Sequence, residues 1–377
     1  MRIGIALATG LAIALLALSP PARAEDLPAP TKKYLAMLKL DPSILAGLDQ
    51  ELKLPAGWLD AAKKEPAAQI LGTWTPQEWR DMTQALKLRY PEVRLDYTRS
   101  SRDNRQVQML VAYKQGRRLA DVISSFSSVY EDLMALHGLV DLRDLPNFKN
   151  IAPGAYAKDG SWIGERNTYW CMAYNTDLVK KQDLPKEWED LITNPFWKGK
   201  LALSNAPAGW LPAIWRAKGE DYGRRFLTRI FTEVKPIRRN EGRDATAQLT
   251  AAGEQAASVP SSDYRAKEFS DRGAPIGFHC PSIVPAAPAQ LGLLAGGKSE
   301  HNAKIFLNWL LSKEGQISMH AVVSEVPVHK DFQTAAFLPY PDEVLDKSKT
   351  IIEDDFDMKL LDRIQKLWTL GWDNELK

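Results

Sequence analysis

Six short groups of polar residues lie where the pattern predicts that a strand ends and a helix begins. The groups are Thr73-Trp74-Thr75, Ser100-Ser101, residues 125–128, Ser204-Asn205, Glu241-Gly242-Arg243 and Ser262-Asp263-Tyr264. In open α/β sheets ligands bind beyond the carboxyl ends of the strands. Helix N-termini at that edge offer free amides and a positive dipole, which suit anions. Any single hydroxyl could be an ordinary helix cap, but six groups at equivalent places favour a binding edge.

Motifs for catalysis are weak in this chain. It contains neither G-x-S-x-G nor H-E-x-x-H, and its five histidines are scattered without metal-ligand spacing. A Ser-His-Asp triad is set by geometry rather than by local sequence, so an exported enzyme stays open as a less favoured alternative. The expectation is that the protein is not an enzyme.

One stretch matches a nucleotide-binding pattern. Residues 292–299 fit G-x-x-x-x-G-K-[ST], whose chemistry requires a strand, then the loop, then a helix whose amides hold phosphates. The preceding residues 285–289 are rich in Pro and Ala and do not resemble a strand. The sequence therefore favours a Gly-rich turn before a helix.

The polar groups are placed by an alternation of strands and helices that begins at Ala68. Thr75 and Glu78 form a capping box with Pro76 at the first helical position. Short strands separated by helices of 10–15 residues indicate βαβ units and a mainly parallel sheet. A length of 377 residues favours two domains.

The start of the chain is typical of an export signal. Arg2 precedes an apolar run from Ile3 to Leu18, Pro20 and Pro21 break the segment, and residues 22–24 are an A-x-A cleavage pattern. An uncleaved membrane anchor is the alternative, although the run is short for a spanning helix. The formal net charge is +2, and Arg2 and Arg23 account for both positive charges. The remaining chain is neutral, which argues against nucleic-acid binding through a basic face.

Five stretches, in order, resemble one family. They are residues 120–140, residues 172–178, residues 184–201, residues 251–264 and residues 303–316. Together they are similar to the periplasmic solute-binding proteins of ABC importers, in the branch of ferric-iron-binding and related receptors. The resemblance spans about residues 68–331, and each stretch alone is a weak signal.

The resemblance implies a type 2 periplasmic binding fold, in which two α/β lobes are joined by two crossing strands and enclose a ligand cleft. The crossings would be residues 169–174 and 276–279, which coincide with strands expected from the pattern alone. The expected segments are a signal peptide (1–24), an N-terminal helical extension (25–67), lobe I (68–168 with 280–330), lobe II with the hinge strands (169–279), and a C-terminal helical segment packing on lobe I (331–377).

The resemblance also implies hinge closure on the ligand and delivery to an ABC permease in the inner membrane. The expected protein is a periplasmic monomer, cleaved after Ala24, which binds no nucleic acid. Cys171 and Cys280 would lie on neighbouring crossing strands, so we expect a disulfide there, with two buried thiols as the alternative.

The ligand is expected to be a small organic anion, with aromatic and phosphorus-containing compounds both included in the class, and with no cofactor. Ferric binders of this branch carry two adjacent tyrosines, whereas this chain has Tyr264 followed by Arg265. A guanidinium beside the site suits a carboxylate or phosphate. The alternative is a ferric receptor that uses Tyr264 with a bound anion. The expected ligand-binding residues are Trp74, Thr75, Ser101, Ser125, Ser127, Arg166, Asn205, Arg243 and Tyr264.

Overall fold

A computed structural model describes residues 27–100, 104–346, 350–352 and 357–376. The signal-peptide prediction and the candidate residue Ser101 lie outside these ranges. None of the helices in the described ranges is long and apolar enough to span a membrane.

The strands form one continuous path that passes through both lobes. They are β1 (Ala68–Gly72), β2 (Leu95–Arg99), β3 (Val122–Ser124), β4 (Ile163–Asn175), β5 (Leu201–Ser204), β6 (Ile237–Arg239), β7 (Ala257–Ser262), β8 (Ile276–His279), β9 (Val284–Leu293), β10 (Val326–Pro327) and β11 (Thr350–Ile352). The order is β2-β1-β3-β9-β4-β7-β5-β6, with β8 and β10 on β4 and β11 on β9. In lobe I, β1 is parallel to β2 and β3; in lobe II, β5 is parallel to β6 and β7.

The helices cover both faces of this path. They are α1 (Ala29–Met37), α2 (Leu48–Glu51), α3 (Trp58–Ala62), α4 (Pro76–Met82), α5 (Gln84–Arg89), α6 (Met109–Lys114), α7 (Tyr130–Ala135), α8 (Asp190–Thr193), α9 (Leu211–Lys218), α10 (Glu220–Arg229), α11 (Arg243–Ala251), α12 (Asp263–Asp271), α13 (Glu300–Leu310), α14 (Lys313–Val323), α15 (Pro341–Val344) and α16 (Met358–Trp372). The predicted capping box at Thr75 and Glu78 is present at the start of α4.

Strand β4 belongs to both lobes. Its residues 163–169 pair with β9, and its residues 170–175 pair with β7 and β8. The predicted two-lobed α/β fold with crossing strands is confirmed. The return crossing differs in detail, because β8 pairs with the lobe II half of β4 and the chain then enters lobe I through β9.

Strand β9 corrects the expectation that residues 285–289 form no strand. Pro288 lies opposite Asn167 of β4, and Pro285 lies opposite Ile351 of β11. Proline and alanine have low intrinsic strand preference, and pairing with β4 overrides it here.

Each lobe has its own core. One large buried cluster lies in lobe I and includes Trp79, Phe306 and Trp309. A second lies in lobe II and includes Trp188, Trp210 and Phe226. These separate cores are what allow the two lobes to behave as units.

The C-terminal segment divides between the lobes. Phe332 and Phe337 pack with α1 and α14 of lobe I. In contrast, Leu360, Ile364 and Trp368 of α16 join the lobe II core. The expectation that the whole segment packs on lobe I is therefore wrong for α16. Its apolar side chains recur every four residues, and this stripe meets the aromatic cluster of lobe II.

The N-terminal extension packs against α14. Tyr34 and Leu35 of α1 are buried there, and the Thr31 hydroxyl donates to Glu314 (2.7 Å). The fully buried Glu314 also pairs with Arg89 (3.1 Å). The extension thus supports α14, whose last residues, Val322 and Val323, line a cavity between the lobes.

Candidate functional site

A cavity of about 560 Å³ lies between the two lobes. Lobe I contributes residues at or just beyond the ends of β1, β2 and α14, together with Arg166 of β4, and lobe II contributes the start of α12. The lining residues are Thr73, Trp74, Thr75, Glu78, Arg99, Arg166, Tyr264, Arg265, Glu268, Val322, Val323, Ser324 and Glu325. Among the predicted ligand-binding residues, the structure brings together Trp74, Thr75, Arg166 and Tyr264 here.

The segment after β1 forms one wall of the cavity. The Thr75 hydroxyl accepts the N–H of Glu78 (3.1 Å), and the Glu78 carboxylate accepts the N–H of Thr75 (2.6 Å). Trp74 is 2% exposed and packs against Trp79 and Tyr97, with ring centroids 5.7 Å and 6.0 Å away. Its buried indole N–H has no hydrogen-bond partner among the described residues.

Arg166 of β4 lies at the base of the cavity and is 9% exposed. Its Nε is 2.7 Å from Oε2 of Glu325, and its guanidinium also pairs with the adjacent, fully buried Glu165. Its Nη2 donates to the hydroxyl of Thr73 (3.2 Å). Glu165 and Glu325 therefore already offset the positive charge of Arg166, which the sequence analysis predicted would bind the ligand anion.

Lobe II contributes Tyr264, Arg265 and Glu268 from the start of α12. Arg265 lies 3.0 Å from Asp244 and also pairs with Glu268. Burial, reinforced by nearby carboxylates, raises the pKa of Tyr264 to about 12. At neutral pH the phenol of Tyr264 is therefore protonated.

Asp263, directly before Tyr264, connects α12 to the crossing strand. It is 1% exposed, and its Oδ1 accepts the N–H of Tyr169 on β4 (3.3 Å). Burial raises the pKa of Asp263 to about 7, against the effect of backbone N–H donors. The position of Tyr264 in the cleft is thus tied directly to the hinge.

Arg99 is a cleft residue that the sequence reasoning missed. It is the last residue of β2, opposite Gly72 at the end of β1, and its side chain is exposed. The parallel pairing of β1 and β2 predicts that residues ending both strands share one edge. This signal was available from the sequence, because Arg99 immediately precedes the candidate group Ser100-Ser101.

Four predicted site residues do not line this cavity. Ser125 and Ser127 follow β3 on lobe I and are not among the lining residues. The Asn205 amide accepts the indole N–H of Trp368 (2.9 Å) and donates to Asn240. Arg243 lies over the ring of Trp170 (4.2 Å to the centroid) and donates to the carbonyl of Ala208 (2.6 Å). Asn205 and Arg243 thus have structural contacts within lobe II.

In the structure, a carboxylate of the protein binds the start of the helix that follows the nucleotide-binding pattern at residues 292–299. The strand missed from sequence, β9, does precede it, and α13 follows it. However, the Glu65 carboxylate of the extension accepts the backbone N–H groups of His301 and Asn302 (each 3.0 Å). A carboxylate at this helix start takes the amides that a phosphate would need.

The two cysteines form the predicted disulfide, which joins β4 to the residue after β8. Cys171 and Cys280 have Cα atoms 5.1 Å apart. The N–H of Cys280 donates to the carboxylate of Glu343 (3.0 Å), and this carboxylate also pairs with His279 (3.0 Å). The hinge is therefore held both covalently and by the contacts of Glu343 of α15 with His279 and Cys280.

Two lobes, crossing strands and a charged cleft between them define a periplasmic solute-binding protein of the ABC-transporter type. The chain belongs to the bacterial extracellular solute-binding proteins, since residues 103–344 match that family model.

One curated protein is a sequence relative of this chain. Over 187 residues the chain is 26% identical to the Fe(3+)-binding periplasmic protein of Serratia marcescens, an alignment that covers 46% of this chain and 53% of that protein. The chain thus matches about half the length of this curated relative.

The solved structures agree in fold and differ in ligand. Iron-bound HitA from Pseudomonas aeruginosa has a TM-score of 0.66 at 18% identity, over 80% of this chain and 99% of that chain. The Atu4243-GABA receptor has a TM-score of 0.63 at 16% identity, over 81% and 97%. Such low identities establish the fold alone, and this fold serves both an iron binder and an organic-ligand receptor.

Proposed function

We propose that the chain is the receptor of an ABC importer for a small anionic solute. The supporting observation is that guanidinium groups from three elements, Arg99 of β2, Arg166 of β4 and Arg265 of α12, line one cavity between the lobes. Guanidinium groups bind carboxylates and phosphates with directed, charge-assisted hydrogen bonds. Closure of the lobes would bury the solute, and a permease in the inner membrane would receive it.

The proposal includes export, cleavage after Ala24 and a monomeric state without a cofactor. It assigns no catalysis to the cleft. The hydroxyls of Thr73, Thr75 and Ser324 line the cavity, but no histidine stands among the described lining residues to activate them.

A ferric ion is the second candidate solute, and the name of the Serratia marcescens relative favours it. Tyr264 would supply a phenolate, with Glu268 and Glu325 nearby and an anion held by the arginines. Within the described ranges, no group of three or more His, Cys, Asp or Glu side chains is placed to hold a metal. Iron would therefore depend on the bound anion for several of its ligands, whereas a plain anion would not.

Native mass spectrometry of the protein purified from its own periplasm tests this proposal. We expect an excess mass of a small organic anion that is lost on denaturation. An excess of iron, with a tyrosinate-to-iron absorption band that Tyr264→Phe abolishes, would instead support the second candidate. A protein that carries no solute, and whose melting temperature responds to neither anions nor ferric citrate, would contradict both.

A further inference from the structure

We infer that the cleft takes a monoanion, whose oxygen atoms are bound by the guanidinium of Arg99 and the indole N–H of Trp74. This inference rests on the proposed function and names the ligand class and two binding residues. The polar groups of the cavity divide into those that already have partners among the described residues and those that do not.

Two of the three cleft arginines already have carboxylate partners. Arg166 contacts Glu165 and Glu325, and Arg265 contacts Asp244 and Glu268. The side chain of Arg99 is different, because it forms no ion pair or hydrogen bond with any described residue. A ligand anion can bind Arg99 without breaking an existing pair, whereas binding Arg166 would compete with a buried carboxylate.

The unpartnered neutral groups at the cavity are also hydrogen-bond donors. The Trp74 indole N–H is buried without a hydrogen-bond partner among the described residues, and an indole nitrogen can only donate. The phenol of Tyr264 is protonated at neutral pH because burial raises its pKa to about 12. A buried donor without a partner costs free energy, so a ligand oxygen at Trp74 would be favoured over a cation.

The carboxylates at the same cavity limit the ligand charge. Glu78 accepts an N–H in the capping box of α4, Glu325 contacts Arg166 and the hydroxyl of Thr168, and Glu268 pairs with Arg265 and Arg272. The described lining residues thus carry three guanidinium groups and three carboxylates, and among them only the guanidinium of Arg99 lacks a carboxylate partner that a dianion would have to displace. A single negative charge fits this balance better.

The apolar part of the lining indicates the remainder of the ligand. Val322 and Val323, at the end of α14, face the same cavity. A monocarboxylate with a short apolar body would place its oxygens at Arg99 and Trp74 and its carbon atoms beside these valines. Butyrate and benzoate are suitable probes of this class.

Isothermal titration calorimetry on the full mature chain, stripped of solute, tests the inference. We expect butyrate or benzoate to bind more tightly than succinate or phosphate. Arg99→Gln should weaken that binding at least tenfold, because it removes the charge-assisted hydrogen bonds. Trp74→Phe should weaken it less, and the exposed Arg80→Gln on α4, outside the cavity lining, is the matched control and should not change it.

The outcomes separate the inference from the proposed function. Binding of an anion that is unchanged in Arg99→Gln but lost in Arg265→Gln would overturn the inference and leave the receptor function standing. Preference for succinate, phosphate or ferric citrate, or no binding of either monocarboxylate, would overturn the monoanion assignment. The mass spectrometry described above decides independently whether the native protein carries a solute.

Discussion

Arg166 shows at the residue scale how a correctly located side chain can have a different role. Its position before the crossing identified it as a cleft cation, and it does line the cavity. Its partner Glu325 is distant in sequence, so the ion pair could not be read from local spacing. Arg166 therefore joins β4 to Glu325 at the cleft, whereas the side chain of Arg99 has no ion-pair partner among the described residues.

Replacing Arg166 should affect stability more than ligand affinity. Arg166→Met leaves Glu165 buried and without its cation, which costs roughly 3–5 kcal/mol of unfolding free energy. Urea denaturation measures this loss. The double variant Glu165→Gln with Arg166→Met removes both charges of that pair and should recover part of the loss, because Glu325 still lacks its cation. A single variant that unfolds at the same urea concentration as the wild type would show that the pair is not stabilising.

At the scale of elements, the sequence correctly predicted the helices and strands whose formation depends on neighbouring residues. The capping box of α4 and the strand–helix alternation depend on neighbouring residues, and the structure contains both. Strand β9 and the packing of α16 depend on contacts with distant partners. The sequence of β9 is rich in Pro and Ala, which do not favour a strand. The apolar stripe of α16 predicts a buried helix face but does not indicate which lobe that face packs against.

The contact between α15 and the end of β8 is expected to depend on pH. Burial opposes charge on His279, but its hydrogen bond to Glu343 prevails and raises the pKa of His279. Burial likewise opposes charge on Glu343, and the His279 and Cys280 donors prevail and lower the pKa of Glu343. Both groups are therefore charged together in the folded protein over a wider pH range than in the unfolded chain.

The stabilisation of the folded protein by the His279–Glu343 pair is limited at both high and low pH. The His279 contribution is complete below its ordinary pKa of 6.5 and is lost as pH rises through the raised value. The Glu343 contribution is complete above its ordinary pKa of 4.5 and is lost as pH falls through the lowered value. The melting temperatures of the wild type and Glu343→Gln should therefore differ most between about pH 4.5 and 6.5. A difference that does not vary with pH would contradict this assignment.

At the scale of the whole molecule, the disulfide links the two strands at the hinge. Cys171 and Cys280 are separated by 109 residues, and closing a long loop restricts the unfolded chain most. Replacing both cysteines with serine should lower the unfolding free energy by roughly 2–5 kcal/mol. Denaturation of the double variant, beside the wild type with and without reductant, measures this. A variant as stable as the oxidised wild type would show that the bond is dispensable.

The described ends of the chain are anchored to opposite lobes. Helix α1 packs on α14 of lobe I, whereas α16 packs into the core of lobe II. Dyes attached at the exposed Lys33 of α1 and the exposed Lys366 of α16 would therefore move relative to each other whenever the cleft closes. Energy transfer between these two positions would make the protein an optical sensor that reports its own solute without any label in the binding site.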